Sequence, residues 1–335
     1  FAGHGARDVR FVARRLGFFV VTLWAAITLN FLIPRLMPGN AAIAMMARYK
    51  GHVNPQALHA LEIAFGVNVH QSFWHAYLVY LGNIARGHFG ISLTFFPDTV
   101  AHQVLQALPW TLALVGTTTI VAFVLGTAIG LVSAWRRGTA LDGALPPLFV
   151  ITSAFPYFWL ALLAIWLFAI KLGWFPESGG YEVTTTVGWN WTFFTDAVNH
   201  SILPALTIIV TAIGGWILTM RNNTITVLTE DYVRMARAKG LKPWRIMWTY
   251  AGRNAILPNL VGFAMSLGFV VGGAILVEFV FNYPGVGWMF LQSVENQDYA
   301  LMQALFLLIT VTVLLAILAA DIATAILDPR TRERG

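Results

Sequence analysis

The chain has 335 residues, of which 58% are hydrophobic and only 11% charged, with a formal net charge of +6 and a mean hydropathy of +0.69. A soluble domain carries about 25% charged residues, so the composition excludes an ordinary water-soluble fold and indicates an all-α polytopic membrane protein. With no cysteine, a disulfide framework, a thiolate metal site and a cysteine nucleophile are excluded as well.

Taken in chain order, six stretches are long and apolar enough to cross a bilayer: residues 16–34, 109–135, 144–170, 201–220, 255–281 and 302–327. Residues 2–15 are polar and basic and lead directly into the first of them, so no cleaved signal peptide is expected. Basic residues set the orientation. Arg7, Arg10, Arg14 and Arg15 precede the first span, and Arg136 and Arg137 follow the second. Seven more lie from Arg221 to Arg253, and Arg330, Arg332 and Arg334 close the chain. By the positive-inside rule these segments face the cytoplasm, and so do both termini. Charge clustered on alternating loops is what a membrane topology produces, and a nucleic-acid patch would not need that alternation. The expected organisation is therefore a basic segment and first span (1–34), an extracytoplasmic segment (35–108), and a five-span core (109–335) with a cytoplasmic loop at 221–254.

The polar interruption at 231–258, DYVRMARAKGLKPWRIMWTYAGRNAILP, is expected to hold two short helices. Asp231 can cap the first, with acidic Glu230 and Asp231 at its positive end. Arg237 and Lys239 lie near its other end, and Gly240 can supply a left-handed residue after it. Pro243 fits the first turn of the second helix, which sets Trp244, Met247, Trp248 and Ala251 at helical spacing, as in a helix lying at a membrane surface. A basic loop that only obeys the positive-inside rule is the plain alternative.

The order of residues in this loop resembles the cytoplasmic coupling ("EAA") loop of bacterial ABC importer permeases. The pattern DYVRxARAKGL, then about a dozen residues, then RNAxLP is that of the peptide and nickel class. Met235 stands where Thr is usual, and Gly240 and Pro258 are separated as in that class. Other motifs agree in order. PGNA at 38–41 is similar to the family's Pro-Gly-Asp-Pro, with Asn40 and Ala41 departing from it. RGHFGIS at 86–92 resembles GDLGxS, with His88 in place of Asp. The segments 97–114, 199–207 and 297–304 (QDYALMQA), and DIATAILDPRTR at 321–332, also match. The run VEFVFNYPGVG at 277–287 resembles Val-Glu-x-Val-Phe-x-x-Pro-Gly-x-Gly.

The resemblance implies a type I ABC importer permease fold with six transmembrane helices in a bacterial inner membrane. It implies three kinds of protein partner: a second homologous permease subunit, two ABC ATPase subunits and an extracytoplasmic substrate-binding protein. Asp231, Tyr232, Val233, Arg234, Met235, Ala236, Arg237, Ala238, Lys239, Gly240 and Leu241 are then the ATPase-coupling residues. Ala236 and Ala238 would allow close approach to the ATPase, while Arg234, Arg237 and Lys239 would pair with acids. On that reading Ala236→Glu or Gly240→Pro abolishes transport in a chain that still inserts. Glu278, Asn282, Pro284 and Gly285 are candidates for the pathway or its gate, since a carboxylate near a span edge suggests function. A cap on the 282–287 turn is the plain alternative for Glu278.

The chemistry of the chain agrees. The span cores lack ionisable residues, unlike ion-coupled transporters. No GxxxxGK[ST] loop is present, so ATP and Mg would be bound by partner subunits and no cofactor by this chain. Six of the eight histidines (52, 59, 70, 75, 88 and 102) fall in the outer segment, but without helical ligand spacing or a carboxylate cluster, and no metal site is expected. The aromatic residues Trp189, Trp191, Phe193 and Phe194 could form a docking surface or an interfacial belt. Small residues in the second and fifth spans could line a path or pack helices, and packing is favoured. Di- or oligopeptides are the first choice of substrate, with nickel or oligosaccharides as the alternative. An ion-coupled secondary transporter and an intramembrane enzyme are the alternatives from other classes. The second lacks a His or paired acids within a span.

Overall fold

The computed structural model describes residues 2–36, 72–272 and 274–327, and among these it is helical without a β-strand. Asn40, Ala41, three of the six outer histidines (52, 59 and 70) and the C-terminal arginines lie outside the described residues. The helices are α1 (Ala2–Leu36), α2 (Phe73–Ala85) and α3 (Val100–Trp135, with a π-helical turn at Leu112–Gly116). They continue with α4 (Ala140–Ala154), α5 (Tyr157–Lys171) and α6 (Trp191–Val227). Next come α7 (Asp231–Ala238), α8 (residues 243–255, with a π-helical stretch at Ile246–Gly252) and α9 (Leu257–Phe269). The chain closes with α10 (Ile275–Val280), α11 (Val286–Glu295) and α12 (Tyr299–Leu327).

Four of these are long and apolar enough to cross a membrane: Arg14–Ile33 of α1, all of α3, all of α6, and Tyr299–Asp321 of α12. The other two expected spans are not continuous. Residues 144–170 break at Phe155–Pro156, where proline has no N–H to continue the helix. Residues 255–281 break between Phe269 and Ile275, around Gly272. The 13 residues of α9 extend only about 20 Å against a hydrocarbon core of about 30 Å. Hydrophobicity read over a window does not register such breaks, which is why the sequence suggested unbroken spans.

Helices α3 and α6 pack along their length and form the centre of the molecule. The approach is close because Gly126 and Gly130 face α6: a Cβ on Gly130 would stand 2.5 Å from the Ile217 carbonyl oxygen. A Cβ on Gly268 would collide with Ala316 of α12. These small residues pack helices. Helix α9 joins the centre through Phe123 and Phe263, stacked with ring centroids 4.3 Å apart. The buried Asn259 adds a donation to Thr127 Oγ1 at 3.2 Å.

Helix α1 lies antiparallel on α12 and is fastened at two heights. Asn30 Nδ2 donates to the Gln303 carbonyl (2.7 Å) and Gln303 Nε2 donates to the Asn30 carbonyl (3.0 Å). Fifteen residues earlier, Arg15 pairs with Asp321 at 2.6 Å. Such interhelical amide bonds contribute about 0.6–2 kcal/mol in lipid. Phe31 then seats α2 through edge contacts with Phe73 and Tyr77.

Two motifs that are distant in sequence meet on Asp298. This buried carboxylate caps α12 by accepting from Leu301 N (3.1 Å), and it accepts from Thr94 N (2.9 Å) and the Ser92 hydroxyl (2.5 Å). The 86–92 and 297–304 segments are thereby one structural feature.

Candidate functional site: the 228–255 loop and the 275–288 turn

Helix α7 starts at its expected cap residue, so the cap itself falls one residue earlier. Glu230 is extended (φ −69°, ψ 146°) and holds the N-cap position, and its carbonyl accepts from Val233 N at 3.1 Å. Asp231 is therefore the first helical residue, where its charge faces the helix dipole favourably. The C-terminus is as expected. Gly240 is left-handed (φ +70°), Leu241 N donates to the Ala236 carbonyl (3.3 Å), and Gly240 N donates to Arg237 O (3.0 Å). This paired closure ends the helix and requires a residue that tolerates positive φ.

One face of α7 is buried in its own chain. Val233 and Ala236 pack with Ile246 of α8 and against Trp135, Val227, Leu228, Leu241 and Tyr250. Ala236 is therefore turned into the chain, where the motif alone suggested an outward-facing residue. It provides close approach to α8. Burying Val233 contributes about 1.5–3 kcal/mol. Asp231, Tyr232, Arg234, Met235, Arg237, Ala238, Lys239 and Gly240 are exposed. Asn254 Nδ2 donates to the Tyr232 hydroxyl at 2.8 Å, and the Arg237 guanidinium lies 5.9 Å over the Trp135 ring. Asp231 and Arg234 form a 3.5 Å pair that is open to solvent and adds little.

Helix α8 begins with Pro243 in its first turn, as expected. Its presumed single apolar face is divided. Ile246 and Tyr250 turn to α7, while Met247 packs on Leu131, Met220 and Ala255. Ala251 is fully buried, whereas Trp244 and Trp248 are 61% and 50% exposed. The π-helical stretch shifts the register, so spacing of 3 to 4 residues misassigns the face.

The same end of the core carries an ion pair that the sequence reading missed. Asp142 accepts from Arg221 Nε (2.6 Å), Gly138 N (3.1 Å) and Ser133 Oγ (3.3 Å). It fastens the α3–α4 turn to the end of α6. The Arg221 side chain, helped by the Gly138 amide, holds the Asp142 carboxyl at about 2, below its ordinary 3.8.

At the opposite end of the core, Glu278 is completely buried. Its Oε2 accepts from Gly287 N (2.7 Å) and Trp288 N (3.3 Å), and its Oε1 accepts from Thr111 Oγ1 (3.0 Å). Thr111 Oγ1 in turn accepts from Val286 N at 2.7 Å. The first three N–H groups of α11 are thus satisfied, with a carboxylate at its positive end. Of the two readings left open for Glu278, the geometry is that of a cap. Gly285 and Gly287 are demanded by it, since a Cβ on Gly285 would collide with the Glu278 carboxylate and one on Gly287 would stand 2.6 Å from Ile275 Cα.

Around this turn, Trp110, Tyr181, Phe193 and Tyr283 form an aromatic cluster with centroids 5.5–6.1 Å apart. Gly179 N donates to Phe281 O at 2.8 Å and ties the 172–190 loop to the same turn. Asn282 is exposed with φ +50°, Pro284 is half-buried and Gly285 is buried. The four aromatic residues of the 189–194 segment divide: Phe193 joins the cluster, while Trp189, Trp191 and Phe194 project outward. Among the described residues there is no group of three His, Asp or Glu side chains that could hold a metal ion.

The chain belongs to the family of binding-protein-dependent transport system inner membrane components, whose pattern matches residues 126–333. It is 34% identical to the di/tripeptide transport system permease protein DppB of Pseudomonas aeruginosa, over 97% of this chain and 99% of that protein. It is 33% identical to the oligopeptide transport system permease protein AppB of Bacillus subtilis (96% and 98% covered). It is also 31% identical to the glutathione transport system permease protein GsiC of Escherichia coli strain K12 (97% and 99% covered).

Proposed function

We propose that the chain is the membrane-spanning permease subunit of an ATP-driven importer, forming half of a translocation path for di- or oligopeptides. The names of its full-length relatives, which are transport-system permeases for di/tripeptides, oligopeptides and glutathione, support that substrate class. The single observation that carries the mechanism is the seating of α7. One face is anchored by Val233 and Ala236 on α8 and on the ends of α3 and α6, and the other presents Tyr232, Arg234, Met235, Ala238 and Lys239 to solvent.

A force on that exposed face is delivered to packed helices and not absorbed by a loose loop. Two ATPase subunits bound there would hydrolyse ATP with Mg, and closure of their dimer would draw the two permeases' α7 helices together and rock the attached helices. This chain binds no nucleotide in that scheme. A second permease completes the path, and an extracytoplasmic binding protein delivers substrate to the 172–194 side. The region 1–34 serves as anchor, 35–108 as the outer segment and 109–335 as the permease core. The Arg15–Asp321 pair sets the N-terminal half of α1 beside the C-terminal end of α12, which supports termini on one side of the membrane.

The test is ATP hydrolysis by the assembled transporter in nanodiscs, offered binding protein loaded with peptide, nickel or oligosaccharide. Stimulation by the peptide-loaded protein alone is expected. Stimulation only by nickel or sugar would retain the architecture and overturn the substrate class.

A further inference from the structure

Helix α8 is covered on the sides that face α7 and the ends of α3 and α6. Ile246 and Tyr250 face α7, Met247 faces Leu131 and Met220, and Gly252 lies against Leu131, where a Cβ would stand 3.2 Å from its side chain. Its exposed residues are Pro243, Trp244, Arg245, Trp248 and Thr249, with Arg253 and Asn254 at its C-terminal end. Two tryptophans one turn apart, 61% and 50% exposed, form an apolar strip with polar N–H tips, the character of residues at a membrane–water boundary.

The position along the fold agrees. Leu131, against which α8 packs, is one turn from the end of apolar α3 at Trp135, and α8 runs directly into α9. The next large exposed apolar residue after Trp248 is Leu257, the first of α9. The charge agrees too. No acidic residue occurs from Tyr232 to Val277, while Lys242 and Arg245 flank Trp244, and both are exposed. The exposed face of α7, in contrast, is mainly charged and polar. The two helices of the loop thus present different chemistry to their surroundings.

We infer that the Trp244–Trp248 strip of α8 seats in the headgroup layer of the cytoplasmic leaflet, with Lys242 and Arg245 binding anionic phospholipid. The loop is then held between lipid and ATPase, and transport depends on anionic lipid. The inference rests on the cytoplasmic placement of the loop.

The absence of native cysteine permits a clean test on the assembled transporter in nanodiscs. A nitroxide on Thr249→Cys reports the α8 face without removing either tryptophan, and one on Thr229→Cys, exposed in the turn before α7, gives the aqueous reference. The expected result is an oxygen-to-nickel-chelate accessibility ratio at position 249 at least about threefold above that at 229, falling to the aqueous value in Trp244→Ala/Trp248→Ala. Transport is expected to rise at least about threefold from neutral to phosphatidylglycerol-containing proteoliposomes, a response lost in Lys242→Ser/Arg245→Ser. A label at 249 that is aqueous in the permease, and is shielded only when ATPase or a second permease binds, would overturn the inference in favour of a protein contact. So would a lipid response unchanged by the serine variants. Modification of Ala238→Cys by an impermeant maleimide from outside intact cells would instead defeat the cytoplasmic placement itself.

Discussion

The two ends of the core solve opposite problems with similar means. At the 275–288 turn, a charged side chain is completely buried, and the hydrogen bonds found on it all come from within the chain. At the 228–255 loop, an apolar face is buried and the charges are left outside. In the first case the ionisable group is consumed by structure: Glu278 and Thr111 satisfy the start of α11. In the second, Arg234, Met235 and Lys239 do little for the fold and are available to another protein. A carboxylate near a span edge is therefore weaker evidence of function than an exposed charged face on a firmly seated helix.

The comparison can be broken most severely at its buried members. Ala236→Glu would place a charge among Val233, Ile246 and Trp135 and is expected to cost about 3–5 kcal/mol. It would dislodge α7 and abolish transport through loss of structure, which limited proteolysis of the loop and the thermal midpoint would register. Glu278→Ala strips the cap from Gly287 and Trp288 and should cost about 3 kcal/mol by leaving buried N–H groups unmet. Glu278→Gln, which still accepts, should cost less, and transport by the surviving folded fraction should persist in both. If Glu278→Gln is fully stable but inactive, Glu278 belongs to the pathway after all.

The Asp142–Arg221 pair gives a graded test at the loop end. Because the folded carboxyl titrates at about 2 and not 3.8, its contribution of about 2 kcal/mol is complete above about pH 5. It is lost as pH falls toward 2. Asp142→Asn should flatten that part of the stability–pH curve, measured by thermal unfolding between pH 2 and 6. The smallest effect on stability, within about 0.5 kcal/mol, is expected for Arg234→Glu and Lys239→Glu, yet these should uncouple peptide-stimulated ATPase activity from transport. Normal coupling in both would remove the ATPase contact from this face.

Much of this was legible in residue order. The all-helical membrane class, four of the spans, the two short helices of the loop and the closing role of Gly240 follow from hydropathy, charge, Pro243 and the glycine. The broken spans at Pro156 and near Gly272 were not, because an averaged hydropathy conceals a single missing hydrogen bond. Contacts between distant segments were also hidden. Ser92 with Asp298, Asn30 with Gln303, and Asp142 with Arg221 carry no local signal, although Ser92 and Asp298 each sat in a motif without an assigned role. The orientation of Ala236 was misjudged because motif resemblance names positions without saying which way they face.

The most direct test of the central claim is cysteine cross-linking between α7 and the ATPase in the assembled transporter. Met235→Cys and Ala238→Cys, both exposed, are compared with Val233→Cys and Ala236→Cys, both buried. Cross-links from 235 and 238 that change with ATP, and none from 233 and 236, are the predicted result. Cross-linking from the buried pair, or none from the exposed pair, would contradict the account of α7 as a seated lever driven from its outer face.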